Sequence, residues 1–206
     1  MILDINPTRM ELLRLKKKLI LAKRGHKLLK DKQDELMKQL LELVDIVREM
    51  REKVDKELSK ATARYLFAKA GMQKEFLEGA MLVPGVQINL LIKEKSVMGV
   101  KTPVFEVKSE GNVQNYGYVH TSGELDASLI TIAKAIEMVI HLAEKEKTVQ
   151  LMAEEIEKTR RRVNALEYIL IPNLEDTIKY ITMKLSEMER SNLTRLMKVK
   201  DIVRSH

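Results

Sequence analysis

The stretch ELLRLKKKLILAKRGHKLLKDKQDELMKQLLELVDIVREMREKV (Glu11–Val54) decides the fold. Steps of three and four residues through it land on Leu12, Leu15, Leu19, Ala22, His26, Leu29, Gln33, Leu36, Leu40, Leu43, Val47, Met50 and Val54, all apolar except His26 and Gln33. An apolar seam returning every 3.5 residues, flanked by Lys, Arg and Glu, is the pattern of a coiled coil; a globular helix shows a wider stripe. Beyond Val54 the seam slips by one residue and resumes at Leu58, Ala61, Tyr65, Ala68 and Met72. Such a stutter locally unwinds a left-handed supercoil.

A second seam runs through Leu125, Leu129, Ile132, Ile136, Val139 and Ala143, then Val149, Met152, Ile156, Thr159, Val163, Leu166 and Leu170. Past Pro172 it continues at Leu174, Ile178, Ile181, Leu185 and Met188, with Leu193 and Leu196 beyond. The turn-forming residues lie between the two seams: 80–123 holds five of the eight glycines and two of the four prolines. The expected division is a lead over 1–7, a first long coiled-coil helix over 8–80, a β-rich insert over 81–123 and a second long helix over 124–206. At 1.5 Å per residue, 70–80 helical residues reach roughly 105–120 Å, the length of a rod. The expected fold class is therefore mainly α: two very long helices in an antiparallel hairpin, both termini at one end and the insert at the other.

Local signals agree. Asn6 precedes Pro7, Thr8-x-x-Glu11 reads as a capping box, and Thr121 and Ser122 precede the second helix. Within the insert, Val86 to Ile92 and Val104 to Val107 read as two strands, with Ser96 to Pro103 as a long loop between them. A two-stranded hairpin alone is marginal and must rest on the helices. Pro172 should weaken the helical turn around Tyr168.

The composition excludes much chemistry. The chain has 206 residues, 33% of them charged, and a net charge of +7; at ~150 residues per domain it is one domain or one domain with an insertion. With no cysteine, disulfides, thiolate metal sites and cysteine catalysis are excluded, and an intracellular setting is the default. The opening residues do not read as a signal peptide, and no run approaches the ~20 apolar residues that span a bilayer. No glycine is followed by lysine, so there is no phosphate-cradling loop, and no GxSxG, HExxH or GxGxxG occurs. His26, His120, His141 and His206 are not spaced to share a metal on one helical face. No catalytic residue, metal or cofactor is expected.

Charge is unevenly placed. Thr8 to Glu35 carries ten basic and four acidic residues, and Leu193 to His206 four basic and one acidic. An antiparallel hairpin brings these stretches to the same tip. Nucleic acid is one partner for such a patch, but no aromatic residues interleave with the basic ones, and an acidic or polar protein socket fits better. His26 and Gln33, polar in the seam, read as register-setting positions. Met72, Met81 and Met98 read as adaptable packing.

NPTRMELLRLKKKLILAKRGHKLLKDKQDELM (Asn6–Met37) resembles the N-terminal signature of the D subunits of vacuolar/archaeal-type rotary ATPases. SVMGVKTP (Ser96–Pro103), with Val97, Met98, Gly99 and Val100 at its centre, resembles that family's insert motif, and RRRVNALEYILIPNLEDTIKYI (Arg160–Ile181) its C-terminal signature. The resemblance implies a non-catalytic rotor shaft that carries torque between the catalytic head and a membrane ring translocating protons or sodium ions. It further implies partners in the catalytic and regulatory head subunits (A and B), in the small F subunit and in a funnel-shaped socket subunit (C/d). The implied place is peripheral, on the cytoplasmic side, with no membrane span, nucleotide or nucleic acid bound directly. On that frame Arg9, Arg14, Lys17, Arg24, Lys27, Lys198 and Lys200 are the expected head contacts. Arg160, Arg161 and Arg162, expected opposite roughly Arg48 to Val54, are either a solvated face or a contact for the F subunit or the lower head. Without the resemblance, the competing readings are a prefoldin-like chaperone subunit and a basic coiled-coil nucleic-acid-binding protein.

Overall fold

A computed structural model describes residues 6–117 and 121–205; His120 and His206 lie outside them. The element order is α1 (Arg9–Gly71), α2 (Lys74–Met81), β1 (Val86–Val97), β2 (Val100–Gly111), α3 (Gly123–Ala165), a π-helical turn (Leu166–Leu170) and α4 (Ile171–Ser205). The fold is mainly α, with long helices packed against one another and one two-stranded antiparallel hairpin. The chain divides into two compact units: residues up to Glu35 with Ile156 onward, and Leu36–Glu155.

In the first unit α1 starts where the capping box places it: the Glu11 N–H donates to Thr8 Oγ1 at 3.2 Å, satisfying one of the free amides at the helix start. Leu15 and Ala22 of α1 pack on Leu174 and Ile181 of α4, with Leu12, Leu19, Ile178 and Leu185 around them. Each well-buried large side chain contributes about 1.5–3 kcal/mol before ordering costs. The helices run antiparallel, because as the α1 partner advances from Arg9 to Lys23 to His26, its mate retreats from Glu189 to Glu175 to Glu167. The π-helical turn occupies the site expected to be weakened by Pro172. Proline offers no N–H to the Tyr168 carbonyl, and the Ile171 N–H reaches back five residues to Leu166.

In the second unit the buried row of α1 passes from Leu36 to Val54, Ala61 and Ala68. From Val54 the buried row advances by sevens to Ala61 and Ala68, while Leu58, where the expected seam resumes after its slip, is 38% exposed. On α3 of this unit the buried positions are Leu125, Ser128, Ala135, Leu142, Glu144 and Met152, whereas Ile136 and Val139 of the expected seam are 36% and 37% exposed. Small residues allow close backbone approach, and the Ser128 hydroxyl is satisfied by the Leu125 carbonyl at 2.8 Å. Antiparallel order holds here too: Arg51 pairs with Glu146, and Arg64 donates to Thr131. The expected placement of Arg160–Arg162 opposite Arg48–Val54 is therefore wrong. Ending α1 at Gly71 and starting α3 at Gly123 sets Ala68 beside Leu125, which shifts the whole register.

The hairpin corrects a second expectation. Ser96–Pro103 is not a long loop: the strands pair without interruption from Val86↔Gly111 to Val97↔Val100, leaving Met98 and Gly99 as a two-residue turn. Both have positive φ, 51° and 84°, as a type I′ turn requires, and that turn matches the right-handed strand twist. At the base, a Cβ on Gly85 would lie 2.2 Å from the Asn112 carbonyl oxygen, so only glycine fits there.

Candidate functional site

The expected head-contact residues divide by what they touch. Arg9 reaches Glu189 at 2.5 Å and Arg14 reaches Glu11 at 3.3 Å. Lys17, Arg24, Lys27, Lys198 and Lys200 are exposed and form no ion pair with another described residue. All belong to the unit that holds both chain ends, so the pairing of α1 with α4 gathers most of the basic excess into one unit. Exposed helix surface beside them carries apolar side chains as well: Leu13, Ile20, Leu21 and Leu28 are all more than half exposed. Sequence reading missed this row, because it falls outside the seam.

His26, the polar seam residue, is explained by its partner. Its imidazole is largely buried and lies 3.3 Å from the Glu167 carboxylate across the helix pair. That contact joins α1 to the π-helical turn. Gln33 is half-buried. Arg160, Arg161 and Arg162 are exposed, and Arg161 pairs with Glu157 one turn earlier on its own helix. Beside the turn, Leu15, Ala22, Leu166, Leu170 and Leu174 line an apolar groove of about 400 Å³ above Gly25.

In the other unit the hairpin rests on α1 and α3. A groove of about 630 Å³ lies between them, lined by Leu43 and Ile46 of α1, Val97 and Val104 of the hairpin, and Glu144 and Met152 of α3. Glu144, only 8% exposed, accepts a hydrogen bond from the Phe105 N–H at 3.0 Å and one from Lys145 Nζ at 3.2 Å. Burial alone would raise its pKa. The Phe105 amide and the Lys145 ammonium, with His141 nearby, outweigh that and hold it below the ordinary carboxylate value. Val100 is buried and Val97 half-buried, whereas Met98 at the turn is 40% exposed.

No group of three or more His, Cys, Asp or Glu able to hold a metal occurs among the described residues, and none of their helices is long and apolar enough to cross a membrane. Antiparallel helix packing within each unit, with a hairpin insert in one and exposed basic residues on the other, defines a helical, coiled-coil-like protein. Comparison with known proteins fixes which one. A family model for the ATP synthase D subunit matches residues 11–201. The V-type ATP synthase D subunit of Acetivibrio thermocellus is 53% identical over 98% of this chain and 93% of its own length. Proteins of the same name in Thermoanaerobacter sp. and Clostridioides difficile are each 51% identical over 98% of the chain, covering 97% and 92% of their own lengths. The chain belongs to the family of ATP synthase D subunits.

Proposed function

We propose that this chain is the central rotor shaft of a V-type ATP synthase, carrying torque between the catalytic head and an ion-translocating membrane ring without binding nucleotide itself. The observation that carries the reading is the antiparallel pairing of α1 with α4, which joins both chain ends in one basic unit, in a chain about half identical to named D subunits. Two helices locked along a seam resist twisting better than one. An exterior rich in Lys and Arg meets polar loops through contacts that are individually weak, ~0.2–1 kcal/mol, and readily exchanged as a shaft turns. The A and B subunits of the head would grip Arg9, Arg14, Lys17, Arg24, Lys27, Lys198 and Lys200. Arg160–Arg162 would face solvent or the F subunit, and the unit with the hairpin would meet the socket subunit. The chain would act on the cytoplasmic side as a peripheral member of the complex.

The test is reconstitution with catalytic and regulatory subunits, using the chain with Lys17, Arg24, Lys27, Lys198 and Lys200 all changed to Glu. Assembly or hydrolysis-driven rotation should fall at least tenfold; unchanged assembly and rotation would refute the head contacts. A pull-down of the F subunit with Arg160, Arg161 and Arg162 changed to Ala separates the two roles of that triplet: undiminished binding marks a solvated face.

A further inference from the structure

The two strands of the hairpin treat their outer edges differently. In a hairpin closed by a two-residue turn, the flanking pair, here Val97–Val100, exchanges both backbone hydrogen bonds, and so does every second pair along the ladder. The residues between them on β1 (Ile88, Leu90, Ile92, Glu94 and Ser96) therefore turn their N–H and C=O groups away from β2. Phe105, opposite Ile92, shows the same geometry from the other strand, since its N–H points outward and is taken by Glu144. Pro103, opposite Glu94, has no N–H to offer. A proline and a buried carboxylate thus blunt the outer edge of β2.

The first half of β1 has no such protection. VQINLLI (Val86–Ile92) is uncharged and free of Pro and Gly, and every residue in it after Val86 is exposed, Leu90 at 42% and Ile92 at 64%. Ile88, Leu90 and Ile92 share one face with Phe105 and Val107, opposite the face whose Val97, Thr102 and Val104 line the groove against the helices. An uncharged β-prone run with a free edge invites pairing with another chain. Toward the turn the charge changes: Lys93 and Lys95 lie on β1, Lys93 bonded to Glu106 at 2.5 Å.

We propose that the edge of β1 at Ile88–Ile92 is a docking site for an extended segment of another subunit, which adds a third strand to the hairpin. Ile88, Leu90 and Ile92 each offer one N–H and one C=O, and their side chains select apolar residues at alternate positions of the incoming segment. Lys93 is held by Glu106, so Lys95 selects an acidic residue beyond them. A second copy of this chain matches poorly. Antiparallel pairing centred on Leu90 would set Gly85 against Lys95, leaving no acid opposite it.

The experiment is residue-resolved hydrogen exchange on the isolated full chain and on the chain within its intact V-type complex. The amides of Ile88, Leu90 and Ile92 should exchange freely in the isolated chain and at least 100-fold more slowly in the complex. Those of Gln87, Asn89 and Leu91, held by the ladder, should be slow in both. Leu90→Pro removes one outward N–H and leaves the ladder intact, as Pro103 does on β2. It should lower incorporation into the complex about tenfold while Asn89 and Leu91 stay slow. Free exchange of all three outward amides in a complex that contains the chain would overturn the proposal and leave the rotor-shaft reading standing. Protection of the isolated chain that grows with its concentration would assign the edge to self-pairing and overturn it too. A chain that entered no complex would overturn the rotor-shaft reading and this choice of occupant with it.

Discussion

Glu144 on α3 accepts a hydrogen bond from the backbone N–H of Phe105, 39 residues earlier in the chain, and so ties the hairpin to the helices at the strand edge that would otherwise be open. The carboxylate is nearly buried and the bond is charge-assisted, so removing it should matter more than removing an exposed ion pair.

Glu144→Ala should weaken hairpin docking by about 1.5–3 kcal/mol, the range for a hydrogen bond to a charged group, read as faster exchange of the Phe105 amide. The pH dependence has a definite sign. The folded pKa lies below the ordinary value of 4.5, so the stabilisation is present above that value and is lost as pH falls through the lower folded pKa. Protection of Phe105 should be flat through neutral pH and decline only in acid, and the variant should lack the decline.

The I′ turn makes two opposite predictions. Gly99→Val places a β-branched residue at φ 84° and should cost about 1–2 kcal/mol of hairpin stability. Met98→Asn, at φ 51°, puts a residue that tolerates left-handed geometry where a long apolar side chain now sits, and should stabilise by a few tenths to ~1 kcal/mol. Ladder amide exchange in the two variants should move in opposite directions.

Core truncations rank by burial. Leu15→Ala and Ile181→Ala, at 1% and 0% exposure in the same cluster, should each cost about 2–5 kcal/mol in urea unfolding. Because they share neighbours, the double variant should lose less than the separate losses added together. Leu193→Ala, 59% exposed on α4, should stay within ~0.5 kcal/mol of the parent.

Across the helix pair, reversing Lys23 or Glu175 alone should cost at most about 1 kcal/mol, and exchanging the two should restore most of it, because both are about half exposed. The coupling should fade at high salt. A double-mutant cycle reads it directly, and a coupling well above 1 kcal/mol would contradict the exposed setting of the pair.

The helices were legible because their apolar spacing repeats. Leu15, Leu36, Met152 and Ile181, picked out by that spacing, are all at most 1% exposed. The buried line of α3 through Ser128 and Ala135 was not, since the larger apolar Leu129 and Ile136 directly after them drew the seam one residue along the helix. The stretch Ser96–Pro103 misread as a loop because its Gly and Pro are turn signals. Pro103 in fact sits on a strand edge where no N–H is needed, and Gly99 serves only the turn. Register also escaped the sequence: it follows from where α1 stops, at Gly71, and no periodicity marks that point. For the candidate contacts, charge clustering picked out Lys17, Arg24 and Lys27, which are exposed; the Arg9–Glu189 pair joins residues far apart in the chain and has no local signal, whereas Arg14–Glu11 is an ordinary i,i+3 helix pair.

The shaft reading is tested most directly by single-molecule rotation. The chain has no cysteine, so two introduced at Lys108 and Glu110, exposed on the hairpin, can anchor a bead while the catalytic head is fixed to a surface. The account predicts that on ATP addition the bead turns continuously in one direction. A bead that stays still relative to the head while the complex hydrolyses ATP would contradict it.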